Sequence, residues 1–135
     1  NAVLNCNYMM NHLKDLYDMA FDTGCMHEFV MTLEQEKHAR NVSDLDIAKA
    51  LLDHGIHPPT MYFPLIVHEA LMIEPTETES RETLDEAVQI FLDVLAEAEA
   101  HPEKMHEYPL ETPVRRLDEV GAARKPVVRY LYDEE

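Results

Sequence analysis

The sequence predicts a small α+β fold, a short antiparallel or mixed sheet with helices on one face. Three observations carry that prediction. Apolar residues recur at helical spacing over residues 84–98, a period-2 alternation runs from Met26 to Leu33, and two short strand-forming runs, 60–63 and 70–73, lie either side of residues 65–69. Taken with the flanking segments, the order is helix, strand, helix, strand, strand, helix, tail, which suits a two-layer domain.

Residues 2 to about 20 read as a helix. Ala2, Val3, Leu4, Cys6, Tyr8, Met9, Met10, Leu13, Leu16 and Tyr17 make its first half apolar nearly all round, so burial on several sides is expected. The chain opens on Asn1 already in this pattern, without a capping signal, and reads as a piece of a longer polypeptide. Asp22, Thr23 and Gly24 make a turn. From Met26 to Leu33 the residues His27, Phe29, Met31 and Leu33 share one face and Met26, Glu28, Val30 and Thr32 the other, the signature of a half-buried strand. Residues 34–42 are polar and read as a loop.

Ser43 opens the next helix, because Ser43-x-x-Asp46 has the form of a capping box. Leu45, Ala48, Leu51 and Leu52 form its buried stripe, and Gly55 stands where a left-handed residue ends a helix. Pro58-Pro59 forbids further helix. Residues 60–63 and 70–73 then pair as a hairpin. Ser80 starts the clearest helix: Leu84, Ala87, Val88, Phe91, Leu92, Leu95 and Ala98 lie on one face, Glu82, Asp85 and Glu86 favour its N-terminal dipole, and His101-Pro102 stops it. Residues 102–135 read as a mostly extended tail with a helical turn or two near 117–123.

Composition excludes several functions. The chain has 135 residues, 46% apolar and 28% charged, which suits one globular domain. Its 11 basic and 27 acidic residues give a net charge of −16, so neither a nucleic acid nor an anionic membrane surface is expected as partner. No apolar run approaches the ~20 residues that span a bilayer. The three glycines, Gly24, Gly55 and Gly121, are too scattered for a glycine-rich phosphate loop. The acidity concentrates in residues 74–109, with eleven acids against two bases.

Few residues invite chemistry. The eight histidines include His54-x-x-His57, but Gly55 separates that pair, and no metal site is expected. His27 and Glu28, as strand neighbours, would face opposite ways. Cys6 and Cys25 read as ordinary thiols, with Cys25 the more open to redox chemistry. Two segments stand out. His57-Pro58-Pro59-Thr60-Met61-Tyr62-Phe63-Pro64 puts hydroxyls on a proline-stiffened frame, and Glu74-Pro75-Thr76-Glu77-Thr78-Glu79-Ser80 is a strand exit dense in hydroxyls and carboxylates, suited to capping.

Those two segments, HPPTMYFP at 57–64 and LMIEPTETES at 71–80, resemble the C-terminal domain of the glycine cleavage system P-protein family, glycine decarboxylase, in particular subunit 2 of its two-subunit bacterial form. VLNCNYMM at 3–10, CMHEFV at 25–30, DIAKALLDHG at 46–55 and TPVRRLDEVGAARKPVVRY at 112–130 extend the resemblance over nearly the whole chain. It implies a fold-type I pyridoxal-phosphate architecture. Residues 1–20 would be the end of the inter-domain linking helix, 21–101 the small α+β domain, and 102–135 the tail. It implies that glycine is decarboxylated on pyridoxal phosphate and that the aminomethyl group passes to the lipoyl arm of H-protein. The large pyridoxal-phosphate domain and P-protein subunit 1 are implied partners, and the cytoplasm the implied location. The family's cofactor lysine follows a histidine. Lys14, Lys37, Lys49, Lys104 and Lys125 do not, so no catalytic residue is expected in this chain. His27, His57, Thr60 and Tyr62 are expected to wall the active site, with Glu74, Thr76 and Glu77 forming a supporting turn. A different reading of the residues is a stand-alone amino-acid-binding or regulatory module, and a third is an acidic docking domain.

Overall fold

A computed structural model describes residues 1–21, 23–130 and 132. The first residue of the expected Asp22–Gly24 turn, and positions 131 and 133–135 of the expected tail, lie outside the described residues.

Helix α1 spans Ala2–Leu13. Cys6, Met9, Met10 and Leu13 are buried at i, i+3, i+4 and i+7, whereas Leu4 is 70% exposed, so one face is covered and not several. The helix also stops well before residue 20. The N–H groups of Leu16 and Tyr17 both donate to the Leu13 carbonyl, at 3.0 and 2.9 Å, and the chain turns inward. Tyr17 is thereby buried edge-on against Phe91, its hydroxyl donating to the Phe91 carbonyl at 2.7 Å. Burying this ring with its polar end satisfied outweighs another helical turn. Asp18–Met19 then forms strand β1, which the sequence reading missed.

Strand β2 is Phe29–Thr32. It starts later than the alternation suggested, with Met26 and His27 in a bend before it. Phe29, Val30 and Met31 are all buried, so β2 is enclosed on both faces at its centre. Glu34–Arg40 is a helix, α2, where a loop was expected. None of its residues is buried; strong helix formers and the i,i+4 pairs Glu36–Arg40 and Glu34–His38 hold it. Asn41 ends it in the left-handed conformation, φ 58°.

Helix α3, Asp44–Asp53, begins on the expected capping box: Ser43 Oγ accepts the Asp46 N–H at 3.2 Å, and the Asp46 carboxylate accepts the Ser43 N–H at 2.9 Å. Gly55 follows at φ 74°. Strands β3, Thr60–Met61, and β4, Ala70–Ile73, form the expected hairpin. Helix α4, Arg81–Ala100, starts on Ser80, whose hydroxyl accepts the Thr83 N–H, and buries Leu84, Val88, Phe91, Val94, Leu95 and Ala98. Pro102 ends α4 but also begins a short helix, α5 (Pro102–Met105), because proline suits a first helical position. Met105 of α5 is fully buried, and Glu119–Arg124 forms α6. The expected extended tail is thus partly helical and partly packed.

The four strands form one antiparallel sheet in the order β1-β2-β4-β3. Its register places Met19, Phe29, Met31, Leu71, Ile73 and Met61 on one face. All six belong to or pack against the apolar core that α1, α3 and α4 close from above. The result is a small α+β fold with helices on one face, as expected, and one strand more than expected.

Candidate functional site

Strands β2 and β3 both run antiparallel to β4, which lies between them. The segments entering β2 and β3 therefore meet the segment leaving β4 at one end of the sheet. His27 and Glu28 enter β2, His57–Pro59 enter β3, and Glu74–Thr76 leave β4. Six of the seven residues singled out from sequence lie at or beside this end; Tyr62 does not.

Thr60 sits exposed on the face opposite the helices, paired with Met72 and, beyond it, Val30. His57 is exposed. His27 is exposed as well, outside the strand, with Nε2 3.8 Å from the Glu28 carboxylate. The expectation that His27 and Glu28 face opposite ways fails, because a bend does not impose the alternation of a strand.

Pro75 is buried in the exit segment. Asn5 of α1 holds that segment: its side-chain amide donates to the carbonyls of Thr76 and Glu79, at 2.9 and 3.1 Å. The capping expectation holds for Ser80 alone. Thr76 and Thr78 share a hydroxyl hydrogen bond at 2.9 Å, and Glu74 and Glu77 point to solvent.

Tyr62 lies at the opposite end, where the β3–β4 connection begins. It has φ 59°, and Glu69, which closes the connection, has φ 49°. Both are conformations that a bulky side chain adopts only under constraint. The constraint is a polar cluster that sequence reading missed. The Tyr62 N–H donates to the Ala70 carbonyl at 3.1 Å and to Asp44 Oδ2 at 3.3 Å. Glu69 Oε2 in turn accepts the Asp44 N–H at 3.0 Å. Asp44 is fully buried. Burial, reinforced by the adjacent Glu69 carboxylate, pushes its acid up to about 6. Burial and the charges of Asp44 and Glu69 likewise raise the Tyr62 hydroxyl. The connection so fixed presents Tyr62, Phe63, Leu65 and Ile66, the last two 82% exposed.

Asp46, two residues along, behaves oppositely. Burial alone would raise it, but the Ser43 N–H and hydroxyl and the Arg116 guanidinium, 2.8 Å away, hold it below the usual carboxylate range. Arg116 also donates to the carbonyls of Tyr108 and Met105 at 2.5 and 3.0 Å, tying the chain after α5 to the start of α3.

A concavity of about 870 Å³ lies elsewhere, between β1, β2 and α2, lined by residues such as Asp18, Thr32, Glu36 and Arg40. None of the seven residues, and no lysine, lines it. Lys14 donates to Asn11, Lys49 faces Glu119, and Lys104 pairs with Glu97. Among the described residues, then, this concavity does not fit pyridoxal phosphate: it has no lysine for the aldehyde and no glycine among its lining residues for the phosphate. No three His, Cys, Asp or Glu side chains among the described residues converge as metal ligands.

The sheet end and its proline-stiffened approach coincide with the segments on which the resemblance rests. Comparison with known proteins agrees with it. The family described as glycine dehydrogenase, C-terminal domain, matches residues 1–113. A probable glycine dehydrogenase (decarboxylating) subunit 2 from Treponema denticola is 60% identical over 129 residues, 96% of this chain and 27% of that protein. Proteins of the same description from Thermosipho melanesiensis and Listeria innocua are 55% and 59% identical, over 99% and 96% of this chain. The chain spans 26–28% of the length of these relatives. With the matching α+β architecture, these similarities place the chain in the glycine dehydrogenase C-terminal domain family.

Proposed function

We propose that this chain is the C-terminal portion of glycine dehydrogenase (decarboxylating) subunit 2 and that it serves the enzyme as wall and cover. The observation that carries the reading is the near-complete match to subunit 2 proteins of which this chain spans 27–28%. The enzyme so assembled would decarboxylate glycine and pass the aminomethyl group to the lipoyl arm of H-protein, alongside subunit 1. Pyridoxal phosphate, held by the preceding large domain, would supply the electron sink. The lysine that binds it would also come from there. No helix among the described residues is long and apolar enough to cross a membrane. The cytoplasm, as location of the enzyme, rests on the family resemblance.

This chain's own contribution is orientation and exclusion of water. His27, His57 and Thr60, gathered at one end of the sheet, would face the reacting groups, with Thr60 as hydroxyl donor. Glu74, Thr76 and Glu77 would form the turn behind them, held by Asn5. Tyr62 and its apolar neighbours would seat against the large domain, which explains why so much hydrocarbon is presented on a rigid connection.

Thr60→Ala in the intact enzyme tests the assignment. Thr60 is exposed, so folding and assembly should be unchanged while exchange of the glycine carboxyl with carbon dioxide falls. Undiminished exchange would remove Thr60 from the site. Borohydride reduction of the loaded enzyme should label no lysine among Lys14, Lys37, Lys49, Lys104 and Lys125. Labelling of any of them would refute the division of labour.

A further inference from the structure

Cys6 and Cys25 are brought together by the fold, although eighteen residues separate them. Their sulfurs are 3.0 Å apart. Cys6 is fully buried on α1, and Cys25, half-buried, lies in the segment leading into β2. The approach is held from both sides of Cys25 by one residue. The Asn7 side-chain amide donates to the Cys25 carbonyl at 2.6 Å, and its oxygen accepts the Cys25 N–H at 3.1 Å. Gly24 permits this approach, since a Cβ there would stand 3.3 Å from that same oxygen. A backbone clamp of this kind fixes the position of Cys25 against the helix without help from the sulfurs.

We propose that Cys6 and Cys25 form a reversible disulfide site, in which oxidation fastens the approach to β2, with His27, onto α1. The oxidant is a low-molecular-weight disulfide, R–S–S–R. The Cys25 thiolate attacks one of its sulfurs and expels R–S⁻, leaving a mixed disulfide on Cys25. Cys6 then loses its proton and attacks Cys25 Sγ, expelling the second R–S⁻. The net change is two thiols oxidised by two electrons and R–S–S–R reduced to two R–SH. The order follows from the surroundings. Burial, together with contact with Cys25 and the carboxylates of Glu28 and Glu74, holds the Cys6 thiol well above its ordinary value, so Cys6 is the poorer first nucleophile and acts only once its neighbour is activated. The same property makes Cys6 a poor leaving group when a reductant attacks the more open Cys25 sulfur, so reduction is slow relative to an exposed disulfide. The inference does not depend on the function proposed above, because it uses only the two sulfurs and the clamp.

The test is peptide mapping of the native, intact subunit after equilibration with oxidised glutathione, followed by blocking of free thiols under denaturing conditions. The expected product joins the tryptic peptide ending at Lys14 to the one spanning 15–37, with neither cysteine blocked, and reverts with dithiothreitol. Cys6→Ser should trap one glutathione on Cys25, and Cys25→Ser should leave Cys6 unmodified. Recovery of both peptides separately, each blocked or each carrying glutathione, overturns the proposal. So does a cross-link from either cysteine to another molecule of the protein.

Discussion

Replacing Asp44 by Asn should make the protein more stable at neutral pH, an unusual outcome for a fully buried, hydrogen-bonded residue. An aspartate ionising ordinarily near 3.8 is pushed up to about 6 here, first by burial and then by the neighbouring Glu69 carboxylate. That rise corresponds to ~3 kcal/mol of unfavourable ionisation in the folded state. The sign follows from proton binding. Between pH ~4 and ~6 the folded protein holds a proton on Asp44 that the unfolded chain has released, so this contribution is complete below pH ~4 and is lost as pH rises through ~6. Asparagine does not ionise. Its single oxygen can take the place of only one carboxylate oxygen: it can accept the Leu45 N–H, while the amide nitrogen at the Oδ2 position donates toward Glu69 and leaves the Tyr62 N–H with the Ala70 carbonyl alone. Loss of that acceptor costs ~1 kcal/mol at every pH. The net expectation is a variant less stable by ~1 kcal/mol at pH 4 and more stable by ~1–2 kcal/mol at pH 7.5. Urea unfolding of both proteins, followed by circular dichroism from pH 4 to 8, measures the difference. Comparison at each pH removes the contribution of Asp46, whose lowered acid has the opposite sign and favours the fold above its own titration. A difference independent of pH, or a variant less stable at pH 7.5, would refute the argument.

Three further outcomes follow from packing and backbone geometry. Phe91→Ala removes a buried ring that packs on Tyr17 and whose carbonyl anchors the Tyr17 hydroxyl; a loss of ~3–5 kcal/mol should appear in the urea midpoint. Gly55→Ala meets no atom within 4 Å, so its cost is that of the left-handed backbone at φ 74° alone, ~1 kcal/mol by the same assay. Arg116→Ala frees the Tyr108 and Met105 carbonyls and leaves buried Asp46 without its guanidinium; limited proteolysis should then cut after α5 while α3 and α4 stay protected.

How far the sequence foretold the structure depends on where each element's stability comes from. Helix α4 was legible because its own residues carry the apolar stripe and the Ser80 cap. The hairpin was legible because prolines and strand formers mark its limits. Helix α2 was not, since it buries nothing and no stripe betrays it; only the spacing of Glu36 and Arg40 hinted at it. Strand β1 was hidden inside an apolar run that reads as continued helix, and what ends α1 is Phe91, 74 residues from Tyr17. The site divides similarly. The proline-rich approach and the strand exit were visible as segments. The Asp44–Glu69–Tyr62 cluster was not, because its partners lie 25 and 18 residues from Asp44 and become a cluster only when the hairpin folds over α3. Asp46 alone left a trace, as part of the capping box.

The two outer strands, β1 and β3, have only two residues each, while the inner pair have four. A rim this short offers another chain almost no unpaired backbone to extend the sheet, so edge-to-edge aggregation has little to start from. It also limits how larger assemblies can be built around this unit. In the assembly proposed above, neighbouring domains would then grip it through side chains, such as the exposed hydrocarbon of Phe63, Leu65 and Ile66, and not by adding a strand.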